Sequence, residues 1–428
     1  MKHMQETCGC PEYAMWKRRD FLGISGGSVA ALLAAPAWLP KVAYAQSAVS
    51  GRDVIVVIFL RGGCDGLTLC VPHGDDDYYA LRPTLAIPRP DSTATEKATD
   101  LDGFFGLAPA MSPLLGAYNA GQLLMVHATG QTDGTRSHFD AMRFMELGKP
   151  RDPNIFTGWL GRHLLSSPPT DANAILRAIA IADALPQSLI GAPQALPVPD
   201  PAEFGLDGLP NTEQARLDAL MEMYGNADNL LRLAAENTIN TMNLLDAIDF
   251  AGYSPANGAL YPDTGFGTSI KSAAALIKAQ AGVEAISVDL GGWDTHSGQG
   301  PISGPMANLM GEFAETLAAF HADVIQGGFA NVTVLVMSEF GRMAPENASE
   351  GTDHGHGNCM VLMGGSILGG RVLSNWPGLG AAELYQGQDL DVTIDYRDIV
   401  AEIVSKRLGN PNLADIFPDY SPTFHGVA

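Results

Sequence analysis

The chain has 428 residues, a formal net charge of −22 and 46% hydrophobic residues. That is enough apolar content for a large core, in one big domain or two smaller ones. The acidic balance repels phosphate backbones and so excludes nucleic acid as the expected partner, but not a small anionic substrate, because a bound metal can dominate the charge of a local site.

Arg18-Arg19-Asp20-Phe21-Leu22-Gly23 has the twin-arginine form, and a small-residue apolar run follows from Ile24 to Leu39. Ala43-Tyr44-Ala45 supplies an A-x-A cleavage site before Gln46. Residues 1–45 therefore read as a signal peptide whose partner is the twin-arginine export machinery, which places the mature protein in the periplasm or outside the cell. Removing them takes away five basic and three acidic residues, so −22 becomes −24. No membrane span is expected after cleavage. Cys64, Cys70 and Cys359 remain, too few for a disulfide scaffold, though one pair among them could bridge.

Asp53 to Leu60 is a β-branched apolar run bounded by Gly51 and Gly62-Gly63, and it reads as a buried central strand. The spacing predicts a helix over 109–121, a strand over 123–128 and a helix over 139–147. A Pro- and Gly-rich loop is expected over 196–210, followed by long helical stretches within 213–248 and a helix over 269–281. Further strands are expected over 285–290, 332–337 and 359–363, with helices over 307–325 and 393–408. Alternating strands and helices predict an α/β fold, doubly wound, with a mostly parallel sheet and helices on both faces. The expected layout is one domain over 46–428 carrying a mainly helical insertion around 196–280. In such sheets ligands gather beyond the carboxyl ends of the strands, and Asp65, His127, Asp294 and Glu339 all fall at predicted ends.

The densest chemistry is Gly351-Thr352-Asp353-His354-Gly355-His356-Gly357, a carboxylate and two imidazoles on a glycine-loosened backbone. Asp and His together suit a divalent transition metal, zinc above all, with manganese, magnesium and calcium as alternatives. Gly291-Gly292-Trp293-Asp294-Thr295-His296 is a second cluster, whose Asp294 and His296 can reach one ion from an extended loop. Glu339 closes the apolar run Val332 to Met337, where an acid must be solvated, paired or metal-bound. Asp65 reads either as a bridging carboxylate or as an Asx turn before Gly66. Arg136-Ser137-His138-Phe139-Asp140 opens a helix. Ser137 fits there as an N-cap, and equally as a hydroxyl nucleophile beside His138 and Arg136. Arg61, Arg136 and Arg342 are candidates to hold an anionic group bidentately. Cys64 lacks the C-x-P-S-R context of a formylglycine nucleophile and reads as a small buried residue.

Together with Phe59-Leu60-Arg61-Gly62-Gly63-Cys64-Asp65-Gly66 and Met337-Ser338-Glu339-Phe340-Gly341-Arg342, these motifs resemble the exported bacterial family catalogued as domain of unknown function 1501. That family is similar in fold to the alkaline phosphatase and sulfatase superfamily. The resemblance implies a metal site with Asp65 as first acidic ligand, Ser137 or a neighbour near the nucleophile position and Asp294 with His296 as the middle pair. Glu339 would fall at the strand-end position, with His354 or His356 as the last histidine. The D-x-H spacing, and Glu339-Phe340 in place of an Asp-His pair, depart from that pattern. The expected function is an exported metal-dependent hydrolase of phosphate or sulfate esters. Its ligands would be drawn from Asp65, Asp294, His296, Glu339, Asp353, His354 and His356, with Ser137, His138 and Arg136 as catalytic groups. The alternative is a non-catalytic periplasmic binding or assembly protein that keeps the fold.

Overall fold

The run Val54-Ile55-Val56-Val57-Ile58-Phe59-Leu60 forms strand β1 (Val54–Leu60), with six of its seven residues buried. A strand that apolar on both faces must lie inside a sheet covered twice. The structure, a computed structural model, describes residues 52–206, 208–209, 212–225 and 229–428. The signal-peptide reading of residues 1–45 lies outside the described residues.

Along the chain follow β2 (Cys70–Val71), β3 (Thr99–Asp100), β4 (Gly106–Leu107), β5 (Leu123–Gly130), β6 (Ala178–Ile181) and β7 (Ala195–Pro197). After them come β8 (Ala285–Leu290), β9 (Val332–Met337), β10 (Asn358–Gly364), β11 (Arg371–Ser374) and β12 (Ile394–Asp395). Nine of these strands make one sheet in the order β11-β5-β10-β9-β1-β8-β6-β7, with β12 also paired to β5. β2, β4 and β3 form a small separate sheet. β1 runs parallel to β8 and to β9, and β10 alone is antiparallel to its neighbours β9 and β5. The sheet is therefore α/β and mostly parallel, as the alternation of elements predicts.

The period-2 alternation of β1 divides the core. Val56, Ile58 and Leu60 pack on one face with Phe266 and Ile270 of helix Gly265–Lys278 and with Phe313 and Leu317 of helix Pro305–Phe320. Ile55, Val57 and Phe59 pack on the other with Trp159 of helix Trp159–Ser166 and Ile399 and Ile403 of helix Tyr396–Lys406. A one-residue slip would exchange the two sets, so burial on both faces fixes the register only together with the loops at the strand ends.

Several elements differ from the sequence reading. β6 and β7 are short and rich in Ala, and lie where no strand is predicted. The 109–121 helix divides into a 3-10 turn over Pro109–Leu114, with Pro113 inside it, and a short helix over Leu115–Asn119. The helical stretch within 213–248 divides into Glu213–Gly225, which buries none of its residues, and Asn229–Asp246. Gly265–Lys278 is built into the core instead. Cys64, Cys70 and Cys359 are free thiols, each buried. His127 lies within β5, not beyond it, and hydrogen-bonds to the Cys70 carbonyl at 3.0 Å.

Candidate metal centre

Five segments meet at the carboxyl edge of the sheet. β1 delivers Arg61 to Asp65, β8 delivers Gly291 to His296, and β9 delivers Ser338 and Glu339. β10 runs the other way, so the 351–357 loop reaches the same edge at its start. β5 leads through 131–137 into helix His138–Leu147. The loops touch closely: Gly62 sits at φ +122°, and a Cβ there would stand 2.6 Å from the Asp294 amide nitrogen. Only glycine fits that approach.

Three imidazoles surround one carboxylate. His138 Nδ1 lies 2.8 Å from Glu339 Oε1, His296 Nδ1 lies 2.8 Å from Asp353 Oδ1, and His354 Nδ1 lies 2.9 Å from the Arg136 carbonyl oxygen. A carbonyl only accepts, so His354 carries its proton on Nδ1 and presents a lone pair at Nε2. Each ring is anchored through Nδ1 and turns Nε2 toward Asp294. His296 Nε2 is 3.0 Å and His354 Nε2 3.1 Å from Asp294 Oδ1, and His138 Nε2 is 3.6 Å from Oδ2. Ligand atoms of His138, Asp294 and His354 lie within 4.8 Å of one another, close enough to share one metal ion.

The electrostatics favour a positive charge at this point. Burial pulls the His138 ring down, but the Asp294 carboxylate, 3.6 Å from Nε2, and the hydrogen bond and charge of Glu339 outweigh it and push it up to about 9. His296 is raised too, first by its bond to Asp294, against burial, with help from Asp353. Burial works against the Glu339 carboxylate, yet the bond from His138 and the Gly62 N–H hold it below its usual range. A pocket that draws protons onto imidazoles also draws a metal ion. The donor set suits zinc or a neighbouring transition metal. His138 Nε2 fits the same purpose, being buried with no hydrogen-bond partner.

The structure sorts the sequence candidates. Asp294, His296 and His354 come together, and His138, read as catalytic, joins them as a candidate ligand. Glu339 and Asp353 stand one layer behind: their carboxylates orient His138 and His296 instead of facing the centre. Asp65 is withdrawn altogether. Its carboxylate takes Arg82 Nη1 at 2.6 Å and Nη2 at 3.0 Å, the Thr68 hydroxyl at 2.6 Å and Gln299 Nε2 at 2.7 Å. His356 is stacked on Tyr385, with ring centroids 4.2 Å apart, and burial lowers its proton affinity. Ser137 is the N-cap of its helix, accepting from Asp140 N–H at 3.5 Å, the long limit of a hydrogen bond. The Arg136 side chain is paired with Asp389 at 2.6 Å, and only its carbonyl serves the cluster.

The other expected anion holders are also engaged. Arg61 bridges Glu146 at 2.8 Å and Asp289 at 3.0 Å, and Arg342 is fully buried against Asp294 at 2.6 Å. The one signal of Asp65's partner in the sequence is a lone arginine 17 residues on, which nothing in the local pattern marks out.

The family model described as Protein of unknown function (DUF1501) matches residues 202–408. The match spans 207 of the 428 residues. It contains Asp294, His296, Glu339, Asp353 and His354, whereas Asp65 and His138 lie outside it. No curated protein matches the chain. The fold is similar to the C-terminal periplasmic domain of EptC from Escherichia coli in complex with Zn, at 10% identity and TM-score 0.36, over 90% of this chain and 92% of that one. It is also similar to the PH0037 protein from Pyrococcus horikoshii, at 12% identity and TM-score 0.31, over 87% and 99%. Alkaline phosphatase from the Antarctic bacterium TAB5 is a third, at 8% identity and TM-score 0.30, over 76% and 94%. Likenesses this loose carry no residue roles across. No helix among the described residues is long and apolar enough to cross a membrane.

Proposed function

We propose that the chain is an exported metal-dependent hydrolase of phosphate or sulfate esters, with one divalent ion, zinc foremost, held by His138, Asp294 and His354, and His296 beside them on the more exposed side. The observation that carries this reading is the convergence of three Nδ1-anchored imidazoles on the Asp294 carboxylate. When bound, the ion would polarise an ester oxygen and ease deprotonation of a hydroxyl or water.

The remaining work falls to the chain itself. Glu339, Asp353 and the Arg136 carbonyl hold the three rings in their tautomers and orientation. Ser137 is the hydroxyl next to His138, at a helix N-terminus where developing negative charge is stabilised. In this reading its hydroxyl, which accepts only the 3.5 Å cap bond, is the group that attacks the ester. The twin-arginine form of the N-terminus supports export of the folded protein.

The test is metal analysis of the purified mature protein, followed by assays on aryl phosphates, phosphodiesters and aryl sulfates with added zinc or manganese. Near-stoichiometric metal and an esterase activity that vanishes in Asp294→Ala and His354→Ala support the reading. A protein that stays metal-free after reconstitution refutes it. One observation favours the alternative, an exported binding or assembly protein without turnover: Arg61, Arg136 and Arg342 are each paired with a carboxylate, leaving none of the three to hold an anionic ester. Stoichiometric metal with no turnover on any ester would decide for it.

A further inference from the structure

The side chain of Arg342 reaches three of the loops that build the metal centre. It is 1% exposed. Its Nη1 donates to the Thr352 carbonyl at 2.8 Å, and its Nη2 to the Trp293 carbonyl at 3.0 Å and to Asp294 Oδ1 at 2.6 Å. The carbonyls of Gly62 and Gly63 accept from Nη2 and Nε. All three nitrogens of the guanidinium are therefore engaged with the chain, and no edge of the fork faces a substrate.

The backbone around the same residue pairs with the segment that carries the second metal-facing side chain. Arg342 and His354 form an antiparallel bridge, and the neighbouring amides tie in beside it, Met343 N–H to the Asp353 carbonyl at 2.9 Å and Gly355 N–H to the Gly341 carbonyl at 2.9 Å. Arg342 thus fixes Asp294 through its side chain, while Gly341 and Met343 on either side of it bond to the backbone on either side of His354. With Oδ1 of Asp294 held by the guanidinium, the carboxylate turns Oδ2 toward His138.

We infer that Arg342 is a positioning residue of the metal centre: it sets the rotation of the Asp294 carboxylate and the spacing of the 62–63, 293–294 and 352–354 segments before any ion arrives, and it does not hold substrate. This rests on the metal reading above. Lysine cannot replace it, because a single ammonium cannot serve carbonyls on three loops and a carboxylate at once.

The experiment compares mature wild-type protein with Arg342→Lys after cobalt(II) loading, reading the visible cobalt bands and the affinity by chelator competition. Expected is a variant that unfolds cooperatively, binds cobalt at least tenfold more weakly and shows displaced bands, since a residue serving only global stability would leave the bands where they are. Unchanged bands with affinity within twofold overturn the inference and leave the metal reading intact. A wild type that takes up no cobalt overturns both. Should Arg342→Lys fail to fold, hydrogen exchange on the wild type decides. Segments 61–65, 291–296 and 351–357 equally protected with and without cobalt support a pre-set frame, and protection that arises only with cobalt overturns it.

Discussion

Glu339 accepts from His138 Nδ1 at 2.8 Å, and the opposite nitrogen of the same ring is buried with no hydrogen-bond partner. The carboxylate fixes the tautomer and raises the basicity of the nitrogen that faces Asp294. Glu339 also accepts from Gly62 N–H at 2.9 Å and from the Ser338 hydroxyl at 2.9 Å, so its position is set from three sides. Glu339→Gln keeps the shape, removes the charge and sets an amide donor against one of those donors. Metal affinity in the variant should fall by about 10- to 100-fold, as for other outer-shell partners, read by chelator competition. An affinity equal to wild type would show that Glu339 supports the fold and not the centre.

Asp65 and Arg82 pose a different case, because sequence position alone makes Asp65 look like a ligand. Both side chains are buried, and the arginine grips the carboxylate with two nitrogens. Arg82→Leu strands a buried charge and should cost about 3–5 kcal/mol in urea unfolding. Asp65→Asn should leave the metal content of the protein as it is. Loss of metal in Asp65→Asn, with folding intact, would return Asp65 to the centre.

The contrast between these carboxylates shows how far the sequence reaches. β1, β8 and β9 are legible because each is a β-branched apolar run ending in glycine or a polar residue, and their ends place the three loops on one edge. β6 and β7 escape notice because Ala178-Ile-Ala-Ile and Ala195-Leu-Pro are short and weakly patterned, and are strands only through pairing with β8 and with each other. Within the site, Asp294, His296 and His354 stand out as Asp and His close together in glycine-rich loops. The division between side chains that face the centre and those behind them is invisible in sequence. Glu339 and Asp294 follow equally good strands, and only the direction of β10 and the approach of helix His138–Leu147 decide which carboxylate lies in front. Arg82 carries no local signal, since it reaches Asp65 across 17 residues, and Arg342 is legible only as a candidate anion holder because its carboxylate partner, Asp294, lies 48 residues away.

Two buried histidines outside the cluster should contribute to the acid limb of stability. Burial, joined by the Arg177 and Arg52 charges, lowers His163 to about 3, and Asn410 Nδ2 contacts its Nδ1 at 3.1 Å. Burial lowers His127 to about 4. The ordinary value is about 6.5, so between there and the depressed values the unfolded chain takes up protons that the folded chain refuses. Stability therefore rises with pH across that window and is lost as pH falls through it, by about 1.4 kcal/mol per pH unit for each fully linked proton. His127→Gln and His163→Gln should each flatten the slope of unfolding free energy between pH 6 and pH 4.5, measured in urea. Slopes equal to wild type would mean that these rings become charged without unfolding.

Metal removal gives the most direct separation of ligand from catalyst at His138. An ion that binds only the folded chain stabilises it by about 2.7 kcal/mol when present at a hundred times its dissociation constant. Wild-type protein stripped by chelator should melt lower and recover in a zinc-concentration-dependent way. His138→Ala removes one of the three atoms that lie within 4.8 Å of each other, so it should lose most of that zinc-dependent rise, as should His354→Ala. Ser137→Ala, which touches no member of the cluster through its hydroxyl, should keep the full rise while losing turnover if the hydroxyl is the nucleophile. A His138→Ala protein that zinc stabilises as fully as wild type would mean that Asp294, His296 and His354 hold the ion among themselves, and would return His138 to the catalytic role its place beside Ser137 first suggests.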